Sequence, residues 1–146
     1  LGKGSLYHFF PGGKEAMAAE VLAHVDAWFA ENVFRPLEQD EPAMAVARMW
    51  TAVDTYFRSG QRICLVGAFA LDATRDRFAG EIGGYFARWI AALAAAWRRA
   101  GMDAAAAGQR AEAAVGGIQG ALVLARALAD ETVFTRMLRR LSAECS

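Results

Sequence analysis

Residues 1–17 read LGKGSLYHFFPGGKEAM, a cationic and aromatic segment that runs through Pro11 into the start of a long helix. The residues before Pro11 can form about two helical turns, and the apolar ones have the i, i+3, i+4 spacing of one helical face. These apolar residues are Leu6, Phe9 and Phe10, and the residues left facing outward are Lys3, Tyr7 and His8. An exposed row of Lys, Tyr and His suits phosphate oxygens and base edges, so the pattern predicts a contact with nucleic acid.

The segment from Lys3 to Met17 resembles the recognition helix, and the junction to the next helix, of the tetracycline-repressor (TetR) family of transcription regulators. The resemblance rests on a Gly-Ser-Leu-Tyr-His-x-Phe run, then Pro, then Lys-Glu-Ala, in that order. Two residues, Gly12 and Gly13, separate Pro11 from Lys14 where the family commonly has one, which indicates a subgroup with a longer junction. The DNA-binding residues implied by the resemblance are Lys3, Gly4, Ser5, Tyr7, His8 and Lys14.

The resemblance also implies a domain organisation. Residues 1–13 are expected to be the remnant of a helix-turn-helix, and residues 14–146 an effector-binding and dimerisation domain. Because the family places two helices before the recognition helix and this chain begins at Leu1, we expect the first part of the helix-turn-helix to be missing. Binding of double-stranded operator DNA is therefore expected of the full-length protein.

Composition limits the other possibilities. A chain of 146 residues with 55% hydrophobic residues can bury a substantial core in one domain. Its 16 basic and 16 acidic residues balance, so an anion-binding surface must be local, as at residues 1–14. No apolar run is long enough to span a membrane, so no membrane contact and a cytoplasmic location are expected. Cys64 and Cys145 lie far apart without a Cys-x-x-Cys pair, which argues against a zinc site or a disulfide scaffold.

The chain has three prolines and no alternating apolar strand pattern, which predicts an all-α fold, a TetR-like helical bundle. The first helix is predicted over 14–34, with Arg35-Pro36 kinking or ending it. Further helices are predicted over 42–59, 64–74, 77–100, 104–129 and 132–143, with Asp103 as a cap and Gly101 as a stop. The predicted buried side of the first helix is Met17, Val21, Val25 and Trp28.

The helix predicted after Asp103 has two apolar faces. One face contains Ala111, Val115 and Ile118, and the other contains three glycines within five residues. Helical glycines are unfavourable, so close approach of a second helix is the expected reason for them, either the last helix of the same chain or a second copy. We expect a homodimer, as the family resemblance also implies. The predicted interface residues are Gly117, Gly120, Leu124, Leu128, Phe134, Met137, Leu138 and Leu141.

The middle helices are rich in large aromatic residues and in alanine, a mixture that seldom packs without a cavity. Most of the rings are expected to be core. By resemblance the family keeps a ligand cavity among these helices, so a small apolar or aromatic effector is expected. The candidate pocket residues are Trp50, Phe57, Cys64, Phe69, Tyr85 and Trp89.

The sequence contains no catalytic motif, and an enzyme is not expected. Glu20 and His24 have i, i+4 spacing, but a second such pair is missing, so they are interpreted as a surface pair and no metal or other cofactor is expected. The chain is interpreted as a ligand-responsive regulator, a repressor released from its operator by the effector. Two alternatives stay open: a helical ligand-binding or scaffolding protein without a DNA role, and a small enzyme with a cofactor near His24 or Cys64.

Overall fold

The computed structural model describes residues 13–60, 62, 64–71 and 74–144. Every regular element in this part of the chain is a helix, which confirms the all-α prediction. The residues expected to form the recognition segment, 1–12, lie outside the described residues.

The first three elements follow one another without a break: α1 (Gly13–Phe29), a π-helical turn (Ala30–Phe34) and α2 (Arg35–Gln39). In the π-helical turn the N–H of Arg35 donates to the carbonyl of Ala30, five residues back. The prediction was that Arg35-Pro36 kinks or ends the helix, and the helix does not end there. Pro36 lies in the first turn of α2, directly after the π-helical turn, where the α-helical hydrogen-bond pattern is already interrupted.

The buried face of α1 is rotated relative to the predicted one, because three of its four residues lie one position further along the sequence. Its fully buried residues form the stripe Ala18, Leu22, Val25 and Phe29. Of the predicted stripe, only Val25 is fully buried, whereas Met17, Val21 and Trp28 are half-buried. Apolar residues occur on several sides of α1, so the spacing alone could not decide the face, and packing against the neighbouring helices did.

Helix α3 (Pro42–Tyr56) begins where the acidic cap was expected, with the Glu41 carboxylate accepting hydrogen bonds from the N–H groups of Ala43 and Met44. A short 3₁₀ turn, Arg58–Gly60, follows it. The single element predicted over 64–74 is instead α4 (Leu65–Ala70), followed by the one-turn helix α5 (Thr74–Arg77).

The last three helices are long: α6 (Ala79–Arg99), α7 (Ala104–Ala127) and α8 (Glu131–Glu144). The carboxylate of Asp103 caps α7 by accepting from the N–H groups of Ala105 and Ala106, as predicted. Gly101, with φ +104°, follows the end of α6. Helix α7 packs against both α6 and α8.

An aromatic core lies between α1, α3 and α6. The Phe29 ring lies 5.1 Å from the Trp89 ring, 5.4 Å from Tyr85 and 6.0 Å from Phe34, measured between centroids. The indole N–H of Trp89 donates to Sδ of Met49 at 3.3 Å. This core fixes α6 against α1 and the π-helical turn, and so determines where the cavities described below can form.

Candidate functional site

Three cavities lie along α6, each in contact with a different stretch of that helix. The first touches Gly80, Gly84 and Tyr85 near its start, the second touches Phe86 and Ile90 in its middle, and the third touches Trp97 near its end. We name them the α1–α6 cavity, the α4–α7 cavity and the indole cavity. Their volumes are about 400, 730 and 730 Å³.

The α4–α7 cavity is predominantly apolar and is formed by α4, α6 and α7. Two charged side chains lie on it, Glu112 and Arg126, and both are exposed. Its size and apolar walls with few polar groups are typical of small-molecule sites. The remaining lining residues are Cys64, Gly67, Ala68, Ala70, Leu71, Phe86, Ile90, Val115, Gly116, Gln119, Leu122, Val123 and Ala127.

Two polar groups lie within the wall of the α4–α7 cavity. The amide nitrogen Nε2 of Gln119 is buried and forms no hydrogen bond of good geometry among the described residues, although its side chain interacts weakly with the sulfur of Cys64. Burial raises the pKa of the Cys64 thiol, whereas the N–H of Gly67, which donates to the sulfur at 3.4 Å, and the side chain of Gln119 oppose that shift. The cavity therefore presents a neutral thiol and one amide donor, without a buried charge.

Gly67 sets the distance between α4 and α7. A Cβ placed on Gly67 would lie 2.5 Å from Oε1 of Gln119, closer than real atoms approach. A larger residue would push α4 away from α7 or displace the Gln119 side chain. The absence of a side chain at Gly67 thus permits the contact that forms one end of the α4–α7 cavity.

The α1–α6 cavity is smaller and carries two exposed carboxylates, Asp26 and Glu81. Tyr85 lines it, with 3% of its surface exposed, and its hydroxyl has no partner among the described residues. Burial raises the pKa of this hydroxyl well above its ordinary value of 10, so it stays protonated. Helix α4 separates this cavity, through Val66, from the α4–α7 cavity.

The indole cavity lies between the start of α3 and the end of α6. Trp50 and Trp97 line it, with 8% and 4% of their surfaces exposed. Both indole N–H groups are buried and have no acceptor within the described part of the chain. The other lining residues are Pro42, Ala43, Val46, Ala47, Ala100, Met102 and Ser142.

The structure does not bring the six expected pocket residues together. Cys64 lines the α4–α7 cavity, Tyr85 the α1–α6 cavity and Trp50 the indole cavity. Phe57 and Trp89, with 1% and 0% exposure, lie in the core and line none of the three cavities. Phe69 is also buried and lines none of them. Sequence reasoning missed Gln119, because a single polar residue on an otherwise apolar helix looks like part of its solvated strip.

The second apolar face of α7 is exposed in the single chain. We call it the outer face and define it by Ala113, Gly116, Gly120, Val123, Leu124, Ala127 and Leu128. Val123 is 60% exposed, Leu124 44% and Leu128 62%. A Cβ on Gly116 or Gly120 would meet no atom within 4 Å.

Other residues expected at a dimer interface make contacts within the chain. A Cβ on Gly117 would lie 2.8 Å from the Leu141 methyl groups, so this glycine accommodates α8 of the same chain. Phe134 and Leu138 are buried in the chain's own core, and Met137 and Leu141 are half-buried against it. The surface left open to a second copy is therefore the outer face of α7, which includes Gly120, Leu124 and Leu128.

The expected DNA-binding residues Lys3, Gly4, Ser5, Tyr7 and His8 lie outside the described residues. Lys14 belongs to the first turn of α1. Glu20 and His24 are both exposed on α1, and no group of three His, Cys, Asp or Glu side chains that could hold a metal ion occurs among the described residues. None of the described helices is both long enough and apolar enough to cross a membrane.

Comparison with known proteins identifies the family of this chain. Residues 42–140 match the family model described as "Transcriptional regulator LmrA/YxaF-like, C-terminal domain", which belongs to the TetR group. No curated protein and no solved structure matches the chain. The matched range includes α3, α4, α6 and α7, and with them the whole α4–α7 cavity. The chain therefore belongs to the TetR family of transcriptional regulators, through a C-terminal ligand-binding domain of the LmrA/YxaF-like type.

Proposed function

We propose that this chain is the effector-sensing and dimerising part of a repressor that leaves its operator when a small, uncharged, apolar or aromatic molecule enters the α4–α7 cavity. One observation carries the proposal: a cavity of about 730 Å³ has apolar walls and one buried amide donor, and one of its walls belongs to the exposed outer face of α7. In this proposal Lys3, Gly4, Ser5, Tyr7, His8 and Lys14 contact the DNA.

The chemistry of the cavity selects the effector. A charged ligand would have to give up its water for apolar walls and a neutral thiol, because the two charged side chains lie at the exposed rim. A hydrogen-bond acceptor on the ligand would satisfy Nε2 of Gln119, which is a buried donor with only a weak interaction with the Cys64 sulfur. The best ligand is thus an aromatic molecule with a carbonyl or ether oxygen.

The outer face of α7 is suited to a second copy of the same chain. In a two-fold symmetric contact, residue i of one copy meets residue j of the other, and j meets i. Glu112 and Arg126 each lie seven residues from Gln119, on opposite sides of it. If the α7 helices of two copies cross antiparallel at the level of Gln119, Glu112 of each copy therefore lies opposite Arg126 of the partner subunit. The contact then contains two such ion pairs.

The remaining features of the outer face agree with this crossing. Neither Glu112 nor Arg126 forms an ion pair within the described residues, so both remain available. Gly116 and Gly120 would allow close approach of the two helices, since nothing lies over them in the single chain. Gly116, Val123 and Ala127 also line the α4–α7 cavity, so the partner would close its outer side.

The path from the cavity to the DNA runs through α4. This helix packs against α1 and against α6, and its Gly67 lies directly beside Gln119. A ligand that separates α4 from α7 would shift α1, whose first turn contains Lys14 and which follows residues 1–12 in the sequence. The shift requires that the ligand bind one arrangement of α4 more tightly than the other.

The DNA and effector parts are tested on the natural protein with duplexes taken from the DNA that flanks its own gene. We expect binding that weakens as salt rises, and release by at least one compound in a panel of uncharged aromatic ketones. Gln119→Leu should raise the ketone concentration needed for release about tenfold and leave DNA affinity without ketone unchanged. The control Gln109→Leu alters an exposed glutamine of the same helix and should change neither value.

Each failure has a distinct meaning. A protein that binds ketones but ignores every duplex would be a helical ligand-binding protein without a DNA role, which is the alternative function. A protein that binds DNA but responds to no compound would contradict the effector part alone. An equal effect of Gln109→Leu would remove Gln119 from the cavity's chemistry.

The dimer part is tested by sedimentation of the chain and its charge variants. We expect a dimer for the unmodified chain, dissociation for Glu112→Arg, because two arginines would then face each other twice, and recovery for the double variant Glu112→Arg with Arg126→Glu. Arg110→Glu, an exposed charge change on the same helix, is the control. Failure of the double variant to recover would contradict the antiparallel crossing at Gln119.

A further inference from the structure

Two residues that line the indole cavity, Trp50 and Trp97, carry buried N–H donors that the proposed effector site does not use. Trp50 and Trp97 are both more than nine-tenths buried, and neither indole N–H has an acceptor among the described residues. Buried polar groups in proteins nearly always have partners, so two unpartnered donors lining one cavity need an explanation. By contrast, the fully buried Trp89 has a partner, because its indole N–H donates to Sδ of Met49.

We propose that the indole cavity is a second small-molecule site, specific for an uncharged apolar molecule that carries hydrogen-bond acceptor oxygens, such as a ketone, quinone or ester. The indole N–H groups of Trp50 and Trp97 donate to those oxygens. Indole is a donor only, so it selects an acceptor and rejects a group that can only donate, such as an ammonium.

The walls of the cavity exclude a charged ligand. None of the described residues that line it is charged. The Glu41 carboxylate caps the start of α3 beside Pro42 and already accepts from the two free N–H groups there, so this helix end offers nothing to an anion. The Ser142 hydroxyl donates to the carbonyl of Arg139 at 3.0 Å, so its proton is also used within the chain.

The indole cavity is separate from the α4–α7 cavity. The two have no lining residue in common, and on α6 they touch positions about two turns apart, Ile90 and Trp97. The indole cavity joins the start of α3, the end of α6 and the last turn of α8. Its volume of about 730 Å³ equals that of the α4–α7 cavity, so it accepts molecules of similar size.

The test follows the four indole N–H signals of the ¹⁵N-labelled chain by NMR, assigned by single Trp→Phe variants. The probes are acetophenone and ethylbenzene, which have similar size and shape but differ in the carbonyl oxygen. We expect acetophenone to shift the signals of Trp50 and Trp97 saturably while those of Trp28 and Trp89 stay in place. Ethylbenzene should bind about tenfold more weakly, since it offers no acceptor.

Variants locate the probe and separate this site from the proposed effector site. Trp97→Phe keeps a ring but removes one of the two donors, and should weaken acetophenone binding toward the level of ethylbenzene, whereas Trp28→Phe should have no effect. Ala68→Phe narrows the α4–α7 cavity and should leave the shifts of Trp50 and Trp97 unchanged.

Three results would overturn the second site. The first is the absence of any saturable shift at Trp50 and Trp97 in the unmodified chain, a measurement that does not depend on a variant that folds. The second is an equal affinity for the two probes, which would mean that the indole donors select nothing. The third is loss of the shifts in Ala68→Phe, which would place the probe in the α4–α7 cavity and leave the proposed effector site standing alone.

Discussion

The aromatic core and the outer face of α7 use opposite kinds of residue. In the core, Phe29, Tyr85 and Trp89 bring their ring centroids to within about 6 Å of one another. On the outer face, Gly116 and Gly120 have nothing over them, and Val123 is 60% exposed. Large rings occupy the space where the fold must be rigid, and small residues leave space where a ligand or a second helix can approach.

The largest expected difference between the two regions is in stability. Trp89→Ala should lower the free energy of unfolding by about 3–5 kcal/mol, because it removes a fully buried ring and leaves a cavity. Val123→Ser should cost little at low protein concentration. Urea unfolding over a range of protein concentrations measures both.

Concentration dependence distinguishes the two substitutions. The loss of unfolding free energy in Trp89→Ala should be the same at every protein concentration, since the contacts of Trp89 lie within one chain. The loss in Val123→Ser should grow with concentration if the outer face is buried in a dimer. A concentration-independent loss of several kcal/mol at Val123 would show that the outer face belongs to the core of the single chain.

A smaller contrast is expected for two glycines. Gly60 has φ +93°, and a Cβ there would lie 2.6 Å from Cβ of Phe134, so Gly60→Ala should destabilise the fold by about 1–3 kcal/mol. Gly116→Ala places its methyl group in open space and should stabilise the single chain by about 1 kcal/mol through helix propensity. Thermal unfolding of both variants at low protein concentration should show a lower melting temperature for Gly60→Ala and a higher one for Gly116→Ala. A change in the same direction for both variants would contradict this prediction.

The smallest effect is expected at the ion pair that joins α2 to α6. Arg88 donates to Glu38 at 3.0 Å, and its guanidinium lies 5.3 Å above the Phe34 ring. The hydrogen bond from Arg88 lowers the pKa of Glu38 below its ordinary value of 4.5. The stabilisation is therefore present above pH 4.5 and lost as the pH falls through the lower pKa of the folded chain.

Both groups are partly exposed, so Glu38→Gln should cost less than about 1 kcal/mol at pH 7, and nothing once the carboxylate of the unmodified chain is protonated. Urea unfolding at pH 7 and at acid pH measures the difference. Glu144→Gln alters an exposed acid at the other end of the chain and serves as the control. A cost that persists at low pH would mean that the Glu38 side chain acts by packing rather than by charge.

The sequence predicted the helices that carry strong local signals. Asp103 and the acidic cap before Pro42 start α7 and α3 where expected, because a capping carboxylate acts on the N–H groups next to it. Each of these signals is local and does not depend on the partner helix.

Features that depend on packing could not be predicted. The spacing of α1 fits more than one buried face, and its contacts chose the stripe containing Ala18 and Leu22. A large aromatic residue gives the same sequence pattern whether it lies in a core or in a cavity wall. The sequence therefore could not show that Trp89 lies in the core and that Trp50 lines a cavity. Gln119 became a candidate ligand contact only when the structure placed its amide beside Gly67.

The π-helical turn at Ala30–Phe34 accommodates one extra residue. Each residue of a helix advances the chain by about 100° around the axis, and a π-helical turn holds one residue more than an α-helical turn. Removal of one residue, such as the half-buried Asn32, would return the segment to α-helical winding and complete the same turn with one residue fewer, so the azimuth of α1 relative to α2 would change little. The π-helical turn therefore takes up one additional residue while α1 keeps its buried stripe of Ala18, Leu22, Val25 and Phe29 against the bundle.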